Sequence, residues 1–279
     1  MTPRIAVIVP CYGDGELAAE AVASIHEDET VEIVVVDDAS PDETTRSVLA
    51  GLDGARVVTH PENRGLIGAR TTGLAETSAP YVFPLDADDR AEPGALSAMA
   101  DVLDQRADVG VCFGDYVEFG AQNVVRAVPD WLDPYRLAYT NEYPVSALFR
   151  RSVIDAVDGW RAGGFAEPAY ADWGLWMALV ENGTRGIHMG PGTITFRKRF
   201  HEGRMLDAAR RRHHAMYSDL RRAHPRLFAD LSSHRRRSDM SFLRKALYPV
   251  VYGPRPRLPR FERRVKLFLD RLGVWTLRR

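Results

Sequence analysis

The stretch Tyr81-Val-Phe-Pro-Leu-Asp-Ala-Asp-Asp89 joins an apolar segment to three carboxylates, those of Asp86, Asp88 and Asp89. The apolar residues predict a buried strand, and the acids would then lie at its carboxyl end, where open α/β sheets bind ligands. Carboxylates this close together repel one another unless a cation lies between them, and such oxygen ligands suit Mg²⁺ or Mn²⁺. On this stretch alone, a polar turn after a strand is an equally good interpretation.

Two further apolar runs, Ile5–Val9 and Glu32–Val36, are typical of strands buried on both faces of a parallel sheet. A helical pattern lies between them, which predicts a right-handed βαβ unit. The second run ends in another acidic pair, Asp37-Asp38. If its strand neighbours the one that precedes Asp86, both acidic loops face one crevice. The predicted fold class is therefore α/β, a single domain with a mostly parallel central sheet flanked by helices.

The rest of the chain is expected to complete this domain and to add a helical extension. Residues 116–140 read as an irregular or helical insertion, and residues 146–150 as a further strand. A helix is predicted from Asp172 to Asn182, so that an ordinary N-cap is one interpretation of Asp172. We place a catalytic domain at residues 1–205 and an arginine-rich helical extension at residues 206–279.

Charge is distributed very unevenly along the chain. Residues 197–279 contain 24 of the 37 lysines and arginines but only 7 of the 38 acidic residues. A proline-broken segment precedes residues 260–272, which read as a basic amphipathic helix. This tail could contact an anionic membrane, the chain's own acidic body or a second copy. Nucleic acid is not an expected partner, since no recognised binding motif accompanies the charge.

The remaining bulk features indicate a cytosolic protein. Cys11 and Cys112 each lie in an apolar run, which predicts buried thiols in a reducing compartment. The first apolar run is too short for a signal sequence, and no run approaches the roughly 18 residues of a membrane-spanning helix. The basic tail leaves open a peripheral contact with the inner face of the membrane.

The loop after the first strand argues against the common nucleotide folds. Residues 10–16 lack the glycine pattern of dinucleotide sites, and no P-loop lysine motif is present. A nucleotide held indirectly fits better, with Asp38 accepting from a base N–H and Tyr12 stacking on the base. A divalent ion on Asp86 and Asp88 would bridge to a diphosphate. Arg199 or His201 would add positive charge or coordination.

In chain order these motifs resemble those of the family 2 glycosyltransferases, which have the GT-A fold. The resemblance covers roughly residues 4–205 and is carried by Pro10-Cys-Tyr12, Val36-Asp-Asp-Ala-Ser40 with Asp42, Asn63-Arg-Gly65 with Ala69-Arg70 and Gly73, Leu85-Asp-Ala-Asp-Asp89, Gly163-Gly-Phe165, Asp172-Trp173 with Leu175-Trp176, and Arg199-Phe-His201. Each motif is weak alone, but several in the family order are a specific signal.

The resemblance implies an inverting, metal-dependent transfer of a sugar from a nucleotide-diphosphate-sugar to a hydroxyl acceptor, with a UDP-sugar favoured. It assigns Mn²⁺ or Mg²⁺ to Asp88 and Asp86, with His201 as a third candidate ligand. It makes Asp172 the base that deprotonates the acceptor. The remaining donor-binding residues would be Pro10, Tyr12, Asp38, Arg70 and Arg199, with Asp89 only in support.

One departure from the family pattern bears on the base. The family often has Glu-Asp where this chain has Ala171-Asp172, so Glu167 is kept in reserve. Two other functions stay open: a catalytically silent nucleotide-binding or scaffold module that uses the basic tail, and a sugar nucleotidyltransferase. The second is disfavoured, because the glycine-rich loop with Arg and Lys that such enzymes use is missing.

Overall fold

The computed structural model describes residues 2–161, 168–200 and 212–252, together with Arg264 and Phe268. Its strands are β1 (Ile5–Cys11), β2 (Val31–Asp37), β3 (Arg56–Thr59), β4 (Tyr81–Pro84), β5 (Arg90–Ala91), β6 (Val111–Phe113), β7 (Asp115–Gly120), β8 (Val124–Arg126), β9 (Leu148–Arg150), β10 (Gly186–His188) and β11 (Ile194–Phe200). Helices alternate with the first four strands, as the sequence predicts.

The helices are α1 (Gly15–Ala23), α2 (Glu43–Ala50), α3 (Gly65–Ala75), α4 (Ala95–Gln105), α5 (Pro134–Leu137), α6 (Arg151–Asp155), α7 (Pro168–Glu181), α8 (His213–Ala223), α9 (Pro225–Ala229), α10 (Leu231–Arg237) and α11 (Phe242–Val251). A short 3-10 helix covers Gly159–Arg161. No helix among the described residues has the length and apolar character needed to cross a membrane.

The main sheet has seven strands in the order β10-β6-β9-β4-β1-β2-β3. All its pairs are parallel except those of β9, which runs antiparallel to β4 and β6. Every residue of the interior strand β1 is buried, as expected for a continuous apolar run covered on both faces. The predicted α/β class with a mostly parallel sheet is confirmed. Strand β1 lies between β2 and β4. The acidic loop after β2, with Asp38, and the acidic loop after β4, with Asp86, are therefore separated by one strand.

A second sheet, in the order β5-β11-β7-β8, corrects the sequence-based expectation for residues 116–140. The first part of that segment is the antiparallel pair β7 and β8, and only the four residues of α5 are helical in the remainder. Tyr116 of β7 stacks on Phe196 of β11, with ring centroids 4.9 Å apart. This sheet holds β11 beside the loop that follows β4.

Helix α3 packs unusually close to β1. At Gly73 an added Cβ would lie 2.2 Å from Cγ2 of Ile8, a distance that real side chains do not tolerate. The glycine therefore allows the contact between helix and strand. Because α3 is held this close to β1, the side chain of Arg70, one turn before Gly73, lies near the edge of the sheet.

The C-terminal helices pack on the α/β body. Met216, Tyr217 and Leu220 of α8 share a buried apolar cluster with Trp173 and Trp176 of α7. The predicted boundary between residues 205 and 206 lies outside the described residues and stays a prediction. Both cysteines are buried and free, which confirms the buried thiols expected from the sequence.

Candidate active site

The loop after β4 gathers the three predicted carboxylates. Leu85 is fully buried and anchors the loop, and the Asp89 amide donates to the Asp86 carbonyl at 3.0 Å. This turn brings one oxygen from each of Asp86, Asp88 and Asp89 within 4.8 Å of the others. Asp86 and Asp88 are half-buried, whereas Asp89 is buried. The cluster therefore presents two accessible acids above one enclosed acid.

A single buried arginine joins this cluster to the predicted base. Arg70, on α3, donates to Asp86 Oδ1 at 2.6 Å through one guanidinium nitrogen and to Asp172 Oδ1 at 2.6 Å through another. Only 1% of the Arg70 side chain is exposed, against 26% for Asp86 and 29% for Asp172. The Trp160 ring lies 5.6 Å from the guanidinium carbon. The structure thus brings Arg70, Asp86 and Asp172 together.

Asp172 lies within α7 and not at its start. The helix begins at Pro168, so Asp172 is its fifth residue, and the N-cap interpretation of this aspartate is wrong. Its side chain instead turns toward Arg70 from the second helical turn. The four extra residues at the start of the helix were not signalled by a periodic apolar pattern.

The two acids that flank Arg70 have opposite pKa shifts. Burial would raise the pKa of Asp86, but the charges of Arg70 and Lys198 outweigh it, so this pKa is lowered. Burial raises the pKa of Asp172, and Arg70 offsets that effect only in part. A carboxylate whose pKa is moved toward neutrality is better suited to accept a proton. Of the two carboxylates, Asp172 is therefore the one that accepts a proton more readily.

Lys198 belongs to the same cluster and was missed as a site residue. Strand β11 pairs with β5 in a register that sets Phe196 opposite Ala91, and continuing it sets Lys198 beside Asp89. The Arg199 amide donates to Asp89 Oδ1 at 2.8 Å, which fixes this register. Burial would lower the pKa of Lys198, but the surrounding acids, Asp89 and Asp86 first, raise it. Lys198 therefore supplies a fixed positive charge among the acids.

Asp38 lies at the other end of the crevice, in a closed network. Its Oδ1 bonds His60 Nδ1 at 2.7 Å and accepts from the Arg64 amide at 2.8 Å. His60 Nε2 in turn bonds Thr72 Oγ1, on α3, at 2.8 Å. Asp38 and His60 are both buried. The neighbouring Asp37 caps the loop by accepting from the Ser40 amide at 2.9 Å.

The other predicted donor-binding residues lie around the same sheet edge. Tyr12 follows the end of β1 and is 51% exposed, so its ring is accessible to a ligand. Pro10 is buried within β1. The Arg199 guanidinium lies over Phe119 at 4.6 Å and pairs with Glu20, and its Nε donates to the Asp88 carbonyl at 3.0 Å. His201 and Glu167 lie outside the described residues.

The carboxylates fit a divalent cation by their chemistry. Asp86, Asp88 and Asp89 offer three hard oxygen ligands from one short loop, which is the donor type that Mg²⁺ and Mn²⁺ prefer. Asp88 and Asp86 are the accessible members, whereas Asp89 is buried and already holds the β11 backbone. Arg70 and Lys198 compensate part of the negative charge, so the metal would share this loop with two fixed cations.

One known protein family matches the sequence of this chain. The family model described as Glycosyl transferase family 2 matches residues 6–157, which is more than half of the sequence and includes Asp38, Arg70 and the acidic loop. The chain belongs to glycosyl transferase family 2. The family expected from the sequence motifs is therefore confirmed.

Curated relatives of this family 2 chain include the succinoglycan biosynthesis protein ExoU of Rhizobium meliloti, 36% identical over 34% of this chain and 29% of ExoU. Another is a Campylobacter jejuni enzyme named GalNAc(5)-diNAcBac-PP-undecaprenol beta-1,3-glucosyltransferase, 35% identical over 35% of this chain and 33% of that protein. The match thus spans about a third of each relative's length.

Solved structures show the same fold at low identity. Staphylococcus aureus TarS 1–349 in complex with UDP-GlcNAc has a TM-score of 0.60 and 18% identity, covering 89% of this chain and 70% of that one. The mannosyltransferase PcManGT of Pyrobaculum calidifontis, in complex with GDP-Man and Mn²⁺, has a TM-score of 0.57 and 18% identity, covering 98% and 76%.

Proposed function

We propose that this family 2 chain is an inverting glycosyltransferase that moves a sugar from a nucleotide-diphosphate-sugar to a hydroxyl acceptor. The donor would be bound between Asp38 and the acidic loop after β4, with a UDP-sugar favoured. Asp172 would act as the base. Family membership supports the reaction class, and the side chains of the site support the roles of the residues.

The observation that carries the proposal is the bridge made by Arg70. One guanidinium lies 2.6 Å from an oxygen of Asp86 and 2.6 Å from an oxygen of Asp172. Asp86 belongs to the loop proposed to hold the diphosphate, and Asp172 is proposed to meet the acceptor. A displacement reaction needs these two groups on opposite sides of one reacting carbon, within the reach of a small sugar.

In the proposed step, the acceptor oxygen attacks the anomeric carbon while the bond from that carbon to the nucleoside diphosphate breaks. Asp172 takes the proton of the acceptor hydroxyl, and the diphosphate leaves with the bonding electron pair. Attack from the face opposite the leaving group inverts the anomeric configuration. Lys198 and Arg70 supply positive charge on the side where negative charge develops.

A divalent cation is the proposed cofactor, held by Asp88 and Asp86. It would supply Lewis-acid stabilisation of the departing diphosphate. PcManGT is solved with GDP-Man and Mn²⁺ and TarS with UDP-GlcNAc, which supports a nucleotide-sugar donor and a metal for this chain. The third predicted ligand, His201, remains part of the proposal. A cytosolic location also remains a prediction from the sequence.

A binding screen followed by a turnover assay tests the proposal. The purified chain is melted with UDP-glucose, UDP-GlcNAc, UDP-galactose and GDP-mannose, each with and without Mn²⁺, because a ligand of the native state raises the melting temperature. Donor hydrolysis is then followed as nucleoside diphosphate release. We expect a metal-dependent shift and slow hydrolysis with at least one donor.

Two outcomes would favour the other functions. Metal-dependent nucleotide binding without turnover in the presence of a range of hydroxyl acceptors indicates a silent binding module. Pyrophosphate release from a nucleoside triphosphate and a sugar 1-phosphate indicates a nucleotidyltransferase. Asp172→Asn separates the roles within the proposal, because it should retain donor binding while it loses transfer.

A further inference from the structure

Helix α11 carries an unusual concentration of exposed apolar side chains. Phe242 is 81% exposed, Leu243 48% and Val250 51%. These are three of the six exposed large apolar residues in the described parts of the chain, and they lie within one ten-residue helix. Ala246 is exposed between them. Scattered apolar residues on a surface need no explanation, but a cluster of this kind marks an interaction site.

These side chains form one stripe along the helix. Phe242, Ala246 and Val250 follow one another at intervals of four residues, and Leu243 lies beside them, so all four cover about 100° of the helix surface. The remaining faces are packed or polar. The stripe, defined as Phe242, Leu243, Ala246 and Val250, is therefore continuous.

The helix is anchored to the body through the face away from the stripe. Tyr248 is fully buried in a cluster with Tyr135, Met240 and Tyr252. Pro249 has no N–H to donate to the carbonyl of Lys245, and the Tyr135 hydroxyl donates to that carbonyl instead, at 2.7 Å. This bond holds α11 firmly with its apolar stripe directed outward.

A basic cluster lies next to the stripe in the chain. Arg235, Arg236 and Arg237 end α10, and all three are exposed. Within residues 2–161, 168–200 and 212–252, no carboxylate is paired with any of the three. Five residue steps separate Arg237 from Phe242, a span of at most about 18 Å. Apolar and cationic groups are thus presented by adjoining helices.

We propose that α10 and α11 dock this chain on the surface of an anionic phospholipid membrane. The stripe enters the interface between headgroups and acyl chains while the three arginines contact lipid phosphates, the arrangement of interfacial amphipathic helices. A helix of ten residues is about 15 Å long and lies in the interface without spanning the bilayer. This surface lies within the basic tail and precedes residues 260–272, the amphipathic segment that the sequence-based membrane prediction named and of which only Arg264 and Phe268 are described.

Vesicle sedimentation of the full chain tests the proposal. The vesicles are phosphatidylcholine alone, or phosphatidylcholine with about a third phosphatidylglycerol as the anionic lipid. We expect binding to the anionic vesicles only. Phe242→Ser with Leu243→Ser should weaken it at least tenfold, since two apolar side chains are lost from the interface. Replacing all three arginines by Gln should weaken it about a hundredfold.

Val125→Ser is the matched control, because Val125 is 43% exposed on β8 and lies outside the stripe. It should bind vesicles as the wild type does. Equal binding by the stripe variant, or absence of binding by the wild type, overturns the proposal. Light scattering and thermal melts identify the alternative occupants. A dimer lost in the stripe variant indicates a second copy, and a marked loss of melting temperature indicates that the chain's own tail covers the stripe.

Discussion

The two ends of the candidate donor site hold their acids in different ways. Asp38 is enclosed, with His60 and the Arg64 amide both bonded to the same carboxylate oxygen. Asp86 is half-open, and it shares Arg70 with a second acid, Asp172. A closed network offers one fixed arrangement of atoms, which suits recognition of a flat base. The open cluster leaves acids accessible, which suits a metal, a diphosphate and a proton transfer.

We expect turnover to be controlled by the open end of the site, which consists of the acidic loop after β4 together with Arg70 and Asp172. Asp88→Ala removes an accessible carboxylate of the acidic loop, and we expect donor hydrolysis to fall by about a thousandfold, as when a group that stabilises a developing charge is lost. The melting temperature without ligand should stay close to that of the wild type. Exposed Asp53 provides the control, since Asp53→Ala should leave turnover unchanged. Normal turnover in the Asp88 variant would falsify the proposed donor site.

Arg70 should matter for stability as well as for turnover. Arg70→Met leaves Asp86 and Asp172 without their shared buried cation, so we expect a loss of about 3–5 kcal/mol in the free energy of unfolding, measured by urea denaturation. Arg56 forms an exposed pair with Glu76 at 2.7 Å, and Arg56→Met should cost less than about 1 kcal/mol. Similar losses in the two variants would contradict the bridging role of Arg70.

The closed end of the site, formed by Asp38, His60 and Thr72, should affect the affinity for the donor more than the turnover. His60→Ala removes one of the two hydrogen-bond partners of the buried Asp38 carboxylate and the ring partner of Thr72 Oγ1, so we expect about 1–3 kcal/mol of destabilisation and a raised KM for the donor. The kcat at saturating donor should change little. His26 is exposed, and His26→Ala serves as the control. A fall in kcat with an unchanged KM would remove the distinction between the two ends.

Lys198 should compete with a metal ion for the acids of the open end. Lys198→Met removes a fixed cation from the acidic cluster, and we expect Mn²⁺ to bind about tenfold more tightly, measured by calorimetry without donor. Lys198→Arg keeps the charge and should keep the affinity of the wild type. Weaker Mn²⁺ binding in the Met variant would show that Lys198 organises the acids for the metal instead of competing with it.

The pH dependence of turnover tests Asp172. Burial raises its pKa above the ordinary aspartate value of 3.8, and a base must be deprotonated to act. Activity should therefore fall as the pH decreases through a midpoint that lies above 3.8. The residual activity of Asp172→Asn should lack this acid limb. An identical limb in the variant would assign the titration to another group.

The fold and one half of the site could be predicted because their signals are local. The buried strands β1, β2 and β4 are short apolar runs, and each ends in the residues that the site uses. The acids Asp38, Asp86 and Asp88 could therefore be named as candidates from their places after these strands, and the resemblance to the family assigned their roles. The antiparallel position of β9 gave no such signal, since strand direction depends on contacts distant in the sequence.

The place of Lys198, the strand β7 and the burial of Arg70 could not be predicted, because they depend on contacts between residues that are distant in the sequence. Lys198 lies between two arginines at the start of the basic tail, and its place beside Asp89 depends on the register between β11 and β5. Residues 115–126 contain a buried acid, Glu118, which obscured the alternation of a strand. The burial of Arg70 was equally unreadable, because arginine is almost never fully buried without a partner.

Helix α3 supports both ends of the site. Thr72 bonds His60 at the closed end, and Arg70, two residues earlier, bonds the acids at the open end. The two positions are about 3 Å apart along the helix axis. At Gly73 this helix packs directly against Ile8 of β1. Because one helix makes the contacts at both ends, a shift of α3 would move the partners of His60 and of Asp86 together.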